Sequence, residues 1–142
     1  MLDRLKQLEQ ATAGLEPTPR ERAEITAQAV DYANNFLHRL PQMNTFVANG
    51  GLSNMLEEPF SDEPGSFAEL LATLETGITA EGINPASGGH MGYIPGGGIY
   101  PSALGDYLAD VTNCYSGVSF ASPGGVRIEQ LLVRWMTGLV GY

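Results

Sequence analysis

Eight of the chain's eighteen glycines stand between residues 77 and 98, at Gly77, Gly82, Gly88, Gly89, Gly92, Gly96, Gly97 and Gly98. Backbone without Cβ loses the most freedom on folding, so a stretch this rich in glycine forms turns in place of helix or strand. Regular structure is therefore confined to the two sides of it. On both sides the apolar residues recur at helical spacing, which makes the expected fold mainly α.

Leu2, Leu5, Leu8, Ala11 and Leu15 recur every three to four residues and predict an amphipathic helix closing near Gly14. A second helix is predicted from Thr18-Pro19-Arg20-Glu21, where threonine caps, proline is pre-set for the first turn and glutamate completes a capping box. Its stripe runs through Ile25, Ala29, Tyr32, Ala33, Phe36 and Leu37 to Pro41. From 40 to 64 the periodicity dissolves among prolines and a glycine pair, as in an irregular connector. Ser66-Phe67-Ala68-Glu69 is a second capping box and opens a helix through Leu70, Leu71, Leu74 and Ile78. Beyond the glycines, Tyr100-Pro101 starts a helix expected to bury Ala103, Leu104, Leu108 and Val111. Ser122-Pro123 starts the last, carrying Val126, Ile128, Leu131, Leu132, Trp135, Met136 and Leu139. No internal repeat is evident.

A chain of 142 residues is one domain at most, and at 43% hydrophobic and 16% charged it is expected to have enough apolar matter for a core and to be ordered and soluble. No apolar run is long enough to cross a bilayer, and no apolar stretch of the secretory kind follows the opening Met-Leu-Asp-Arg-Leu-Lys. The lone Cys114 cannot pair internally, which fits a reducing, cytoplasmic setting. A net charge of −9 with only seven Lys and Arg argues against a nucleic-acid partner. Residues 1–81 hold thirteen acidic against five basic side chains, whereas 82–142 hold three against two. The near-neutral remainder has the composition of a buried or interfacial segment.

The stretch from Ile83 to Gly141 carries an ordered set of motifs: His90, Gly92-Tyr93-Ile94-Pro95, Pro101, Leu104-Gly105-Asp106-Tyr107-Leu108-Ala109, Asn113, Ala121-Ser122-Pro123, Glu129 and Trp135. This set resembles the opening of the pyridoxal-phosphate-dependent amino-acid decarboxylases of the aromatic-amino-acid, histidine and glutamate decarboxylase group. The first eighty residues agree with that group only in being helical. One departure is visible: the family usually has a small residue, a threonine and an acid after Ala-Ser-Pro, and here Gly125, Val126 and Arg127 occupy that stretch.

The resemblance implies an N-terminal helical dimerisation segment, about residues 1–84. The start of a fold-type-I, transferase-like α/β large domain would follow over 85–142, most of that domain being absent. It implies that the N-terminal helices lie across the other subunit of a homodimer. It also implies that the Gly92-Tyr93-Ile94-Pro95 loop lines the substrate side-chain pocket, so Tyr93, Ile94 and Pro95 are candidate substrate contacts. The loop from Asn113 to Phe120 would reach the neighbouring subunit's active site, adding Tyr115 and Val118. Beside this stands a plainer reading in which Tyr93 packs a turn and Tyr115 and Val118 belong to a helix-to-helix loop.

Such an enzyme holds its cofactor on a lysine amine, with donors around the phosphate and an acid on the ring nitrogen. Lys6 is the chain's only lysine, on the polar side of the first helix. The family's cofactor lysine lies beyond Tyr142, so no catalytic or cofactor-binding residue is assigned here, and the chain alone is expected to be inactive. Gly96-Gly97-Gly98 before a helix invites a phosphate reading. It lacks the lysine of a P-loop and the strand of a dinucleotide fold, and flexible turn chemistry describes it better. His90 reads as a hydrogen-bonded turn residue and His38 as a partner of its helix dipole. Asp106 and Asp110 share a helix face and suit capping and interface contacts, while Ser122 suits an N-cap. Two histidines and one cysteine without paired ligand spacing argue against a metal site.

Two functions remain open on these grounds. One is the N-terminal part of an amino-acid carboxy-lyase, supplying pocket walls and dimer contacts; which amino acid it would act on is not written in these residues. The other is a non-catalytic helical interaction module. Either way the stripes bearing Leu5, Leu8, Ile25, Tyr32 and Phe36 are expected to need a second chain to cover them.

Overall fold

A computed structural model describes residues 1–48, 65–94 and 96–142. The chain separates into two compact units, Met1–Gly97 and Gly98–Tyr142. The expected connector over 40–64 falls largely outside the described residues.

The first unit begins with α1 (Leu2–Thr12), continued by a single 3-10 turn at Ala13–Leu15. Helix α2 (Pro19–Arg39) follows, with Pro19 in its first turn. The Thr18 hydroxyl accepts from the Glu21 N–H, while the Glu21 carboxylate accepts from the Thr18 N–H at 2.7 Å. Ser66 and Glu69 repeat this reciprocal box at the start of α3 (Phe67–Leu74), again with a 2.7 Å bond to the cap N–H. Both boxes stand where the sequence put them, because a cap needs only residues three positions apart.

Beyond Leu74 the helix widens into a π-turn, Glu75–Thr79, instead of running regularly to Ile78. Gly77 weakens the α ladder there. The Thr79 hydroxyl donates back to the carbonyls of Leu74 and Glu75. The turn places Thr79 3.3 Å from the Tyr32 hydroxyl, and Glu75 accepts from the Arg39 guanidinium at 2.7 Å, so α2 is tied to the end of α3 at two points. A short antiparallel pair, β1 (Phe46–Val47) and β2 (Gly82–Ile83), then joins two segments that sequence reading left irregular, with Phe46 opposite Ile83 and Val47 opposite Gly82. Strands of two residues are too short to show alternation.

The second unit holds α4 (Tyr100–Thr112) and α5 (Pro123–Val140). Asn113 ends α4 in the left-handed conformation, at φ 44°, and Gly141 ends α5 the same way. Ser122 caps α5 by accepting from the Gly125 N–H at 3.3 Å. A Cβ at 125 would lie 2.8 Å from the Ser122 hydroxyl oxygen and would crowd this cap.

Burial is where the expectation fails. Among the described residues no hydrophobic side chain is buried. Leu104, Leu108 and Val111, expected inside, are all exposed, because the second unit offers α4 no layer that encloses it. The α2 stripe fares better: Ile25, Ala29, Tyr32, Ala33 and Phe36 are half-buried although Leu37 is exposed, and Phe67, Leu71 and Leu74 on α3 are half-buried too. The chain therefore covers part of that stripe itself, although Leu5 and Leu8 on α1 stay exposed. No described helix is long and apolar enough to cross a membrane.

Three carboxylates sit below their ordinary pKa of 4.5 for local reasons: Glu21 through the Thr18 hydroxyl and N–H, Glu69 through the Ser66 N–H and hydroxyl, and Glu75 chiefly through Arg39. A carboxyl depressed by folding stabilises the fold above its unfolded pKa and loses that contribution as pH falls through its folded value. Helicity followed by circular dichroism should therefore hold from neutrality down to about pH 5 and decline below 4.5. A loss centred above pH 5 would show that other groups govern the acid response.

Candidate functional site

The glycine-rich stretch folds as a chain of turns that leave β2 and come back beside Ala86, just after it. The Asn84 N–H donates to the Thr45 carbonyl at 2.8 Å, extending the strand pairing by one bond. The Asn84 side-chain oxygen then accepts from the Ala86 N–H at 3.1 Å, a turn of the kind asparagine favours. The Ser87 N–H donates to the Asn84 carbonyl and the His90 N–H to the Ser87 carbonyl, at 3.2 and 3.0 Å. Farther on the chain comes back so closely that a Cβ on Gly97 would lie 3.1 Å from Ala86 Cα. Residues 87–94 thus hang from a narrow neck.

An open groove of about 440 Å³ lies beneath this hanging segment, lined by Thr45, Phe46, Ile83, His90, Met91 and Tyr93 among others. Its walls are mostly apolar, with the Thr45 hydroxyl, the imidazole and the phenol as polar points. The His90 and Tyr93 rings lie nearly parallel, 6.4 Å apart between centroids and inclined by 14°. Tyr93 has a φ of 66°, one of two positive values at a non-glycine among the described residues, the other being the capping Asn113. For an aromatic residue this conformation costs on the order of 1–3 kcal/mol and persists only where the surroundings impose it. Tyr93 is nevertheless 84% exposed.

The other sequence candidates divide. Ile94 lies beside Tyr93 and is fully exposed. Pro95 falls outside the described residues. Tyr115 and Val118 belong to the second unit, in the turn between α4 and α5, and both are exposed. The Tyr115 ring folds over Gly117, where a side chain would collide with it, so the glycine fixes where the ring lies. His90 is a turn residue, as read, and also lines the groove. Thr45, Phe46 and Ile83 were missed as groove residues: their part depends on pairing between positions 37 and 39 apart, Phe46 with Ile83 and Thr45 with Asn84, for which the sequence has no local signal.

Pyridoxal phosphate is the cofactor that the motifs imply, and the described residues do not form a site for it. Lys6 is the sole lysine and stands exposed on α1. No step can be derived through the cofactor from this chain.

No family model matches the chain. Among curated proteins, it is 28% identical to the histidine decarboxylase of Drosophila melanogaster over 125 residues, covering 86% of this chain and 15% of that protein. To human histidine decarboxylase it is 29% identical over 126 residues, 87% of this chain and 19% of the other. To the aromatic-L-amino-acid decarboxylase of Cavia porcellus it is 24% identical over 111 residues, 77% against 23%. The chain thus spans a quarter or less of the length of these relatives. Because the matched lengths take in most of this chain, they extend beyond the motif stretch into the first eighty residues. The chain is homologous to a segment of the histidine and aromatic-L-amino-acid decarboxylases, the group its motifs resemble.

Proposed function

We propose that this chain forms part of a cytoplasmic, pyridoxal-phosphate-dependent amino-acid carboxy-lyase, in which it supplies a wall of the substrate pocket and contacts within a homodimer. The helical dimer segment would give way to the large domain near residue 84. When bound elsewhere in the complete enzyme, the cofactor would supply the electron sink for loss of carbon dioxide. This chain's residues would bind and orient the substrate side chain: Tyr93 and Ile94 from the turn loop, Tyr115 and Val118 from the loop between α4 and α5 of a neighbouring subunit. The carrying observation is Tyr93, held at positive φ with its ring exposed over an apolar groove.

Tyr93→Phe in the complete enzyme tests this, since it keeps the ring and removes only the hydroxyl. If that hydroxyl meets a polar substrate group, discrimination among amino acids should fall by about 10²-fold or more in kcat/KM ratios. Uniform changes of a few-fold across a panel, for Tyr93→Phe and Tyr115→Ala alike, would assign both side chains to loop packing. The rival function, a helical interaction module without chemistry, draws on the exposed apolar faces and the surface position of Lys6. It predicts that no amino-acid panel responds to either substitution.

A further inference from the structure

Ser87 is the one buried polar residue among those described, 8% exposed in a structure where no hydrophobic side chain is buried. It is not among the groove-lining residues. Its Oγ lies 3.1 Å from the Thr45 Oγ1, donates to the Met43 carbonyl at 3.4 Å and accepts from the Gly89 N–H at 3.4 Å. A serine hydroxyl has one proton to give and two lone pairs. When its proton is directed at Met43 and one lone pair at Gly89, the remaining lone pair is available to the Thr45 hydroxyl as donor. All three capacities of Ser87 are then used, and they join residues 43, 45 and 89 across the neck of the loop.

The backbone repeats the clamp. Thr45 accepts from Asn84, and His90 donates to the Ser87 carbonyl. Gly89 passes so close to Thr45 that a Cβ there would sit 2.5 Å from its Oγ1. Position 90, where the ring stack with Tyr93 begins, follows directly.

We propose that Ser87, with Thr45 as its donor, is the positioning residue of the pocket loop: the hydroxyl pair sets the direction in which the backbone leaves for His90 and Tyr93, and so which faces of those rings the groove presents. This rests on reading the loop as a pocket wall. It adds Ser87, which lies off the groove, and gives Thr45, already in the groove wall, a second part in setting what the wall offers.

The test is made on the 142-residue chain by NMR, comparing Ser87→Ala, Thr45→Val, which keeps the shape and drops the hydroxyl, and Thr45→Ser, which keeps the hydroxyl. The readouts are amide exchange at Gly89 and His90 and the ring-to-ring contact of His90 with Tyr93. Ser87→Ala and Thr45→Val should speed loop exchange by about tenfold and abolish the ring contact, with α2 and α3 amides within about twofold of the parent chain. Thr45→Ser should behave like the parent. Loop exchange that stays unchanged overturns the proposal, as does acceleration of α2 and α3 in step, or a Thr45→Ser loop as loose as that of Thr45→Val. In the complete enzyme Ser87→Ala should also shift kcat/KM ratios among amino acids. A loosened loop with unchanged ratios would count against the pocket wall while supporting Ser87 as the clamp.

Discussion

Pyridoxal phosphate added to the 142-residue chain is expected to give no saturable, stoichiometric absorbance band. A cofactor site of this type needs an amine held in place, an acid opposite the ring nitrogen and donors around the phosphate. Lys6 is the only lysine, and α1 holds it out in solvent with Leu5 and Leu8 exposed beside it. Whatever signal remains should be that of loose reaction with accessible amines, growing with concentration and never reaching a plateau near one equivalent. The same reasoning gives no decarboxylation by this chain alone. A one-to-one band that survives Lys6→Ala would reveal a site that the described residues do not form.

At micromolar concentration the chain should sediment as a dimer. Large apolar side chains stand uncovered in both units, among them Leu5, Leu8, Leu104, Leu108, Leu132 and Trp135, the indole at 64% exposure. Fully burying such a side chain is worth about 1.5–3 kcal/mol, so half-covering ten of them supplies roughly 8–15 kcal/mol. Association costs about 4–15 kcal/mol in lost freedom and a micromolar dimer needs about 8 kcal/mol net, so the dimer requires the upper end of that gain on faces that fit closely. Putting a charge on α5 with Trp135→Glu should weaken self-association by about 10²-fold if the indole is a central contact. A compact monomer at micromolar concentration, stable and unaffected by that substitution, would remove the need for a second chain and with it the dimer contacts proposed for the enzyme.

What the sequence disclosed follows the range of the interactions concerned. Thr18 with Glu21, Ser66 with Glu69 and Ser122 with Gly125 act over three residues, so their helices could be placed from local chemistry. Leu104 and Val111 had the spacing of a buried face and are exposed, because spacing shows which face is apolar and not what covers it. The groove was half legible. Tyr93 and Ile94 could be singled out through a family motif, whereas Thr45 and Ser87 lie 42 residues apart and their hydrogen bond has no periodic signature. The contacts that Tyr32 and Arg39 of α2 make with the π-turn at Glu75–Thr79 were likewise hidden, since they span 47 and 36 residues.

The close approach of Gly97 to Ala86 bears on how such a protein can change over generations. Between that approach and the bonds that hold Ser87, Gly89 and His90, only the outer turn with Met91, Tyr93 and Ile94 exposed is loosely held. Doubling the length of a flexible loop costs only about 0.6 kcal/mol in closure entropy once its ends are fixed. Side chains at the tip can therefore be exchanged, and residues inserted there, with little penalty to the helices on either side. The glycine at the stem is less free to change, because a methyl group there would lie 3.1 Å from Ala86 Cα and the stems would have to give to admit it. Diversity of recognition and economy of folding are thus assigned to neighbouring positions on one short piece of backbone.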